Sequence, residues 1–252
     1  MAIRTDEGLV IHEDPENPLY GTVIWEAGNS LAKFFTWKAS AGCSLQKHNV
    51  IELGAGTGVV GLTLGKLGAR VTLTDNELPL LDLLRRNIDA NKLGSTVEAC
   101  KVDWGVQSTY LSPDAFDVVV AADVLYIGTS ESFLQALKAH MSQHTVAYMS
   151  YDYRTEETLG FFVEALQSGL RIEQLQDGVG NVAGSDVGQS PNVFDGSCFV
   201  ALGADCLVSA VRDARFSRWN LQRIQIFRIT WAHMPLQSLG RPGRSTSALA
   251  RL

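Results

Sequence analysis

Three things are missing from this sequence, and each absence removes a class of protein. No uninterrupted apolar run approaches the roughly 18 residues needed to span a bilayer. A membrane-spanning chain is therefore not expected. Basic charge is scarce as well: 21 Lys and Arg stand against 27 Asp and Glu, a formal net charge of −6. Surfaces that grip a phosphate backbone carry a basic stripe, so nucleic acid is a disfavoured partner. Paired cysteines are the third absence. Cys43, Cys100, Cys198 and Cys206 show no C-x-x-C spacing and no histidine at metal-ligand distance along the chain. They read as reduced structural thiols, with no metal site, in a cytoplasmic or nuclear setting. Behind Arg4 there is no apolar signal core, and Glu13, Asp14 and Glu16 do not suit a transit sequence. The histidines (His12, His48, His140, His144, His233) are scattered and read as surface or structural groups. No Ser-His-Asp order or carboxylate pair points to hydrolysis.

What is present is core-forming material in an alternating pattern. With 252 residues and 46% hydrophobic content, one domain can bury a sizeable core, and a monomer is the plain expectation. Residues 1–22 are polar and turn-rich and read as an irregular lead-in. The domain is assigned to 23–236. Ile24, Ala27, Leu31, Phe34 and Phe35 recur at helical spacing over Val23–Trp37. Asn49–Leu53 reads as a strand and Val59–Leu67 as the next helix. Strand and helix then alternate through Arg70–Thr74, Leu78–Asn91, Thr96–Val102, Phe116–Ala121, Ser130–His140, Thr145–Ser150, Thr155–Ser168 and Leu170–Leu175. Such alternation implies an α/β domain with right-handed crossovers and a mostly parallel sheet. The pattern breaks over 177–220, read as an insertion that is long for a connection between elements. A strictly alternating strand follows at Arg223–Trp231, and 237–252 reads as a flexible tail.

The chemistry lies at the first strand's end, in Val50-Ile51-Glu52-Leu53-Gly54-Ala55-Gly56-Thr57-Gly58. Glycines allow a sharp strand-to-helix turn and close ligand approach. The following helix N-terminus offers unpaired N–H groups, and this end of an open α/β sheet is the usual ligand crevice. Gly56 to Gly61 also fits the dinucleotide pattern G-x-G-x-x-G. Glu52 argues the other way, because a carboxylate there suits an ammonium and a sulfonium better than a pyrophosphate. Asp75 follows the second strand, about 20 residues on, where an acid can bind ribose hydroxyls. Asp103 and Trp104 follow the third strand, where a carboxylate and an indole can hold an adenine; a capping Asp beside a packing Trp is the plainer alternative.

Taken in order, Gly21-Thr22-Val23-Ile24-Trp25-Glu26-Ala27, the Glu52–Gly58 loop, Thr74-Asp75, Asn87-x-x-x-Asn91, Asp103-Trp104-Gly105 and Phe116 to Tyr126 resemble methyltransferase family 16, the seven-stranded protein-lysine methyltransferases. The resemblance runs from about Gly21 to Leu175 and resumes at the last strand. It implies a Rossmann-like seven-stranded sheet, mostly parallel with an antiparallel last strand, and S-adenosyl-L-methionine as cofactor. It also implies site roles. Trp25 would lie beside the cofactor, with Glu52, Gly54 and Gly56 around its methionine half. Asp75 would hold the ribose, Asp103 and Trp104 the adenine, and Ala122 the wall near the sulfonium. Asp123 and Tyr126 would form the catalytic acceptor pocket.

The implied reaction is methylation of a lysine in a protein substrate. Tyr151, Asp152 and Tyr153, after the fifth strand, are further pocket candidates, or the start of a surface loop. Two other readings stand beside it. One is methylation of a small-molecule or nucleobase amine; base-methylating enzymes usually place prolines between the acid and the tyrosine, where this chain has Val124-Leu125. The other is a non-catalytic cofactor-binding adaptor, since fold does not fix function.

Overall fold

The computed structural model describes residues 1–126, 128–152, 159–175, 199–201 and 224–232. Its main body is one sheet built from β3 (Asn49–Leu53), β4 (Arg70–Asp75), β5 (Val97–Lys101), β6 (Val118–Ala122), β7 (Val146–Asp152), β8 (Leu170–Leu175), β9 (Phe199–Ala201) and β10 (Ile224–Trp231). The spatial order is β5-β4-β3-β6-β7-β10-β8-β9. Strands β3 to β7 run parallel, and β10 slots antiparallel between β7 and β8. The seven expected strands are all present. The three-residue β9 adds an eighth at the edge, antiparallel to β8, inside the segment read as an insertion.

Helices cover both faces, as a parallel sheet requires. One face carries α1 (Glu26–Ser40), α2 (Val59–Lys66) and α3 (Leu78–Ala90), over a core that includes Leu31, Phe35, Val50, Val60, Leu62 and Tyr148. The other carries α4 (Ser130–Ala139) and α5 (Leu159–Gln167), over Ile51, Leu53, Phe133, Phe161 and Ile229. Alternate residues of β3 serve the two cores, since successive side chains of a strand point to opposite faces. Helix α1 starts at Glu26, not Val23, because the backbone at Trp25 is still extended.

The irregular lead-in expected for 1–22 is corrected. Ala2–Arg4 (β1) and Val10–His12 (β2) pair antiparallel, and Leu9 and Ile11 are fully buried. Two amides, Asn87 in α3 and Asn91 at its C-cap, hold this hairpin. Asn91 accepts from the Val10 N–H at 2.8 Å and donates to the Val10 carbonyl at 2.7 Å. Asn87 does the same at His12, at 2.7 and 3.2 Å. Four residues apart, the two side chains share a helix face and act as a substitute strand along the edge of β2. Asn87 also donates to the Thr57 carbonyl at 2.9 Å, which ties the hairpin to the glycine loop.

His140 is fully buried as a structural group. It donates from Nδ1 to the Ala136 carbonyl at 2.7 Å and accepts the Leu111 N–H on Nε2 at 3.1 Å. Both ring nitrogens are thus used by a neutral imidazole, and burial lowers its pKa. Among the described residues, no helix is long and apolar enough to cross a membrane.

Candidate cofactor and acceptor site

Strand order reverses at β3, which has β4 on one side and β6 on the other. In an open α/β sheet this is the switch point where ligands bind, beyond the carboxyl ends of the strands. The glycine loop leaves β3 there. Gly54, Gly56 and Gly58 all have positive φ, +69°, +54° and +80°, a region that L side chains enter at a cost. Neighbours crowd all three, Gly58 through Leu84 at 2.8 Å from a Cβ placed there. A Cβ on Gly54 would lie 2.8 Å from the Trp104 ring, and one on Gly56 would lie 2.8 Å from the Gly21 carbonyl oxygen. The space beside Gly56 that the sequence assigned to the ligand is, on this side, filled by the backbone of the Gly21 turn. The Gly21-Thr22 element thus seats directly on the loop.

The match to the dinucleotide pattern has its own packing cause. A Cβ on Gly61 would lie 2.2 Å from Leu73 and 2.6 Å from the Glu52 carboxylate. Helix α2 approaches the sheet this closely only without a side chain there.

Glu52 is 2% exposed, and its Oε2 accepts the Gly61 N–H at 2.7 Å. Gly58, at the N-cap of α2, has no side-chain oxygen to offer the first-turn N–H groups, so the carboxylate of β3 supplies one. Desolvation dominates its ionisation and raises its pKa to about 8, outweighing the Gly61 hydrogen bond that lowers it. Asp75, 9% exposed, accepts the Gly56 N–H on Oδ2 at 3.0 Å and the Asn76 N–H on Oδ1 at 2.9 Å. Its pKa is also raised, again chiefly by burial. Asp75 is therefore a support of the loop and not a solvated strand end.

Asp103 accepts the Gly105 N–H on Oδ1 at 3.2 Å and is partly buried. The Trp104 ring packs edge-on against Phe133, centroids 5.1 Å apart, beneath Gly54. That is the packing alternative, realised directly under the loop. Three carboxylates thus stand at or just past the carboxyl ends of three adjacent parallel strands. This donor set fits S-adenosylmethionine, with its ammonium and sulfonium, its ribose diol and its adenine amine. Buried carboxyls with raised pKa values are the groups a cationic ligand would relieve.

Beyond β6 the other half of the cleft is built differently. Ala122 ends the strand, and Asp123 takes φ +58°, one of three non-glycine residues with positive φ among those described. Its N–H donates to the Ser150 carbonyl at 3.0 Å, and the Ser150 hydroxyl donates to the Ala27 carbonyl at 2.7 Å. This chain of bonds fixes the turn against α1. Left-handed conformation at a non-glycine residue costs energy and clusters at functional sites.

Val124 and Leu125 plunge into the core, 3% and 1% exposed, which leaves Asp123 and Tyr126 at the surface. Thr129 closes the loop, accepting the Tyr126 N–H at 3.1 Å and donating to the Val124 carbonyl at 3.0 Å. The Tyr126 phenol is pushed above its ordinary pKa by burial and by the charge of Asp75, so the two lie within electrostatic reach across the cleft. Tyr126 also meets Tyr20, ring centroids 6.4 Å apart. Trp25, at the N-cap of α1, donates its indole N–H to the Tyr20 carbonyl at 2.8 Å.

The three pocket candidates after the fifth strand fail or fall away here. Tyr151 is no pocket residue: it is 2% exposed and packs on Phe162 in the core. Asp152 is buried in β7 opposite Ile224, and Tyr153 lies outside the described residues. Tyr20 and Asn87 were missed as site components; their signal was the Gly21 and Asn87-x-x-x-Asn91 motifs themselves.

A Rossmann-like sheet with this strand order, a glycine loop after its first parallel strand and acids at the ends of the next two define the class of nucleoside-cofactor methyltransferase folds. Comparisons with known proteins take this further. The chain belongs to the lysine methyltransferase family, whose sequence profile matches residues 3–168. It is 33% identical over 157 residues to mouse protein N-lysine methyltransferase METTL21A, covering 61% of this chain and 70% of that protein. The zebrafish protein of the same name is 34% identical over 149 residues, covering 58% of this chain and 66% of that one. Mouse EEF1A lysine methyltransferase 3 is 32% identical over 159 residues, covering 61% and 65%. The chain thus spans about two thirds of the length of these relatives. Among solved structures, P. horikoshii TYW2 in complex with MeSAdo superposes with a TM-score of 0.51 at 16% identity, over 70% of this chain and 63% of that one. That likeness is one of fold.

Proposed function

We propose that this protein transfers a methyl group from S-adenosyl-L-methionine to a lysine side chain of a protein substrate. The observation that carries the reading is Asp123, held in a left-handed turn at the switch point beside Ala122, with Tyr126 presented next to it. The family membership supports it, as do relatives named for lysine methylation. When bound, S-adenosylmethionine supplies a methyl carbon made electrophilic by its sulfonium. Glu52, Asp75 and Asp103 would hold the cofactor directly or through the loop, with Trp25 at its side.

A lysine Nζ that has first lost a proton to solvent would accept that methyl group, the sulfur leaving as a neutral thioether. An exposed lysine is protonated, with a pKa of about 10.4, and desolvation in the cleft lowers that value. Asp123 orients the amine by accepting its N–H bonds, and Tyr126 offers its ring face or hydroxyl. Alignment of this kind can remove roughly 7–11 kcal/mol of barrier.

The test is radiolabelled methyl transfer into lysate, with mass spectrometry of the labelled protein. Label on a lysine supports the reading. Label on nucleic acid or a small amine moves the assignment to another acceptor, and no transfer despite S-adenosylhomocysteine binding moves it to an adaptor.

A further inference from the structure

Tyr20 is the most exposed large aromatic among the described residues, at 75%. It is not loose. Its 3-10 turn (Tyr20–Thr22) is stapled by the Leu19 N–H to Asn17 Oδ1 bond at 3.1 Å, the Thr22 hydroxyl to Leu19 carbonyl bond at 2.8 Å and the Trp25 indole bond to its own carbonyl. The turn rests on Gly56 of the cofactor loop. An aromatic ring carried on a stapled turn and left largely in water buries little of its own surface and is available to a partner. With Trp25 and Tyr126, 40% and 47% exposed, it forms an aromatic shelf at the mouth of the cleft.

Charge says what the shelf receives. No lysine or arginine occurs between Arg4 and Lys33, between Arg70 and Arg85, or between Lys101 and Lys138. Those segments supply the turn bearing Tyr20 and the loops that follow β4, β5 and β6. Exposed Glu26 and Glu77 stand beside Trp25 and Asp75. Lys47, Lys66 and Lys92 instead lie at the amino-end side, before β3, at the end of α2 and before β5. Aromatic faces within an acidic rim attract cations through their quadrupole and the surrounding field.

We infer that the shelf of Tyr20, Trp25 and Tyr126 docks a basic segment of the substrate protein, with positively charged residues flanking the target lysine, and that Tyr20 determines this specificity. The inference rests on the lysine methyltransferase reading of the same cleft. Because the Trp25 indole bonds the backbone carbonyl of Tyr20, truncating the ring leaves that bond in place.

The experiment is calorimetry on the full chain saturated with S-adenosylhomocysteine, with two twelve-residue peptides. One carries a central lysine with two arginines on each side, the other the same lysine with two serines on each side. The arginine peptide is expected to bind at least about tenfold tighter, with affinity falling as salt is raised. Tyr20→Ala should weaken it at least about fivefold with S-adenosylhomocysteine affinity unchanged, and Tyr20→Phe should restore it. Glu26→Gln combined with Glu77→Gln should flatten the salt dependence. Equal binding of the two peptides, no binding of either, or wild-type binding by Tyr20→Ala overturns the inference. Failure of S-adenosylhomocysteine to bind at all would instead sink the methyltransferase reading.

Discussion

The two halves of the cleft are built on opposite plans. On the cofactor side, Glu52 and Asp75 are buried, and their oxygens accept backbone N–H groups of the loop and of helix α2. On the acceptor side, Asp123 sits in a left-handed turn, and Tyr20 and Tyr126 face water. The cofactor side is coupled to folding; the acceptor side is carried on buried anchors, Val124 and Leu125, and can change without disturbing them. Substitutions on the two sides should therefore separate stability and binding from chemistry.

The largest effect should come from Gly56→Val. It forces a β-branched residue to φ +54° and drives its Cβ against the Gly21 carbonyl oxygen. The expected outcome is loss of S-adenosylhomocysteine binding in calorimetry together with a clear drop in thermal midpoint, as the Gly21 turn is pushed off. A variant that loses binding at wild-type stability would show that the Gly21 contact is dispensable.

Asp75→Ala should come next. It strands the Gly56 and Asn76 N–H groups, and removing a buried acceptor costs about 1–3 kcal/mol. Denaturant unfolding and cofactor affinity should both report a loss of that order. An unchanged unfolding midpoint would return Asp75 to a pure ligand role.

A subtler signature lies in pH. The folded chain holds a proton on Glu52 up to about pH 8, whereas the unfolded chain releases it near the ordinary glutamate value of 4.5. Between those values the folded state binds more protons, so stability is full below about pH 4.5 and declines as pH rises toward 8. Asp75, also raised, contributes with the same sign. Thermal midpoints of wild type and Glu52→Gln across pH 5 to 8.5 should diverge, with the variant flatter. Parallel curves would mean the carboxyl is ionised throughout.

The smallest effect is expected from Tyr126→Phe, within several-fold in transfer rate if the ring face is what matters. A loss as severe as that of an Asp123 variant would assign the role to the hydroxyl.

Much of this fold was legible because long elements carry their period. The apolar stripe of α3 and the β3–β7 strands appear where the pattern put them, within a few residues. The pair β1–β2 was not legible: three-residue strands are too short to show alternation, and their partners Asn87 and Asn91 lie more than 70 residues away. Of the site, the residue types and their order could be read, while the direction of side chains could not. Glu52 turns inward to cap a helix whose glycine N-cap has no oxygen, and Tyr151 points to the core face of its strand. The left-handed turn at Asp123 leaves no mark on composition, since nothing in a sequence distinguishes an aspartate at φ +58° from any other.

The division between the two sides is tested most directly by measuring S-adenosylhomocysteine affinity and methyl transfer side by side in Asp123→Ala. Cofactor affinity should stay within a few-fold of wild type, while transfer to protein lysine should fall about 10²-fold or more, as loss of one aligned contact to the reacting group can cost. Full transfer in the variant, or loss of affinity and transfer in equal proportion, would contradict the placement of Asp123 on the acceptor side.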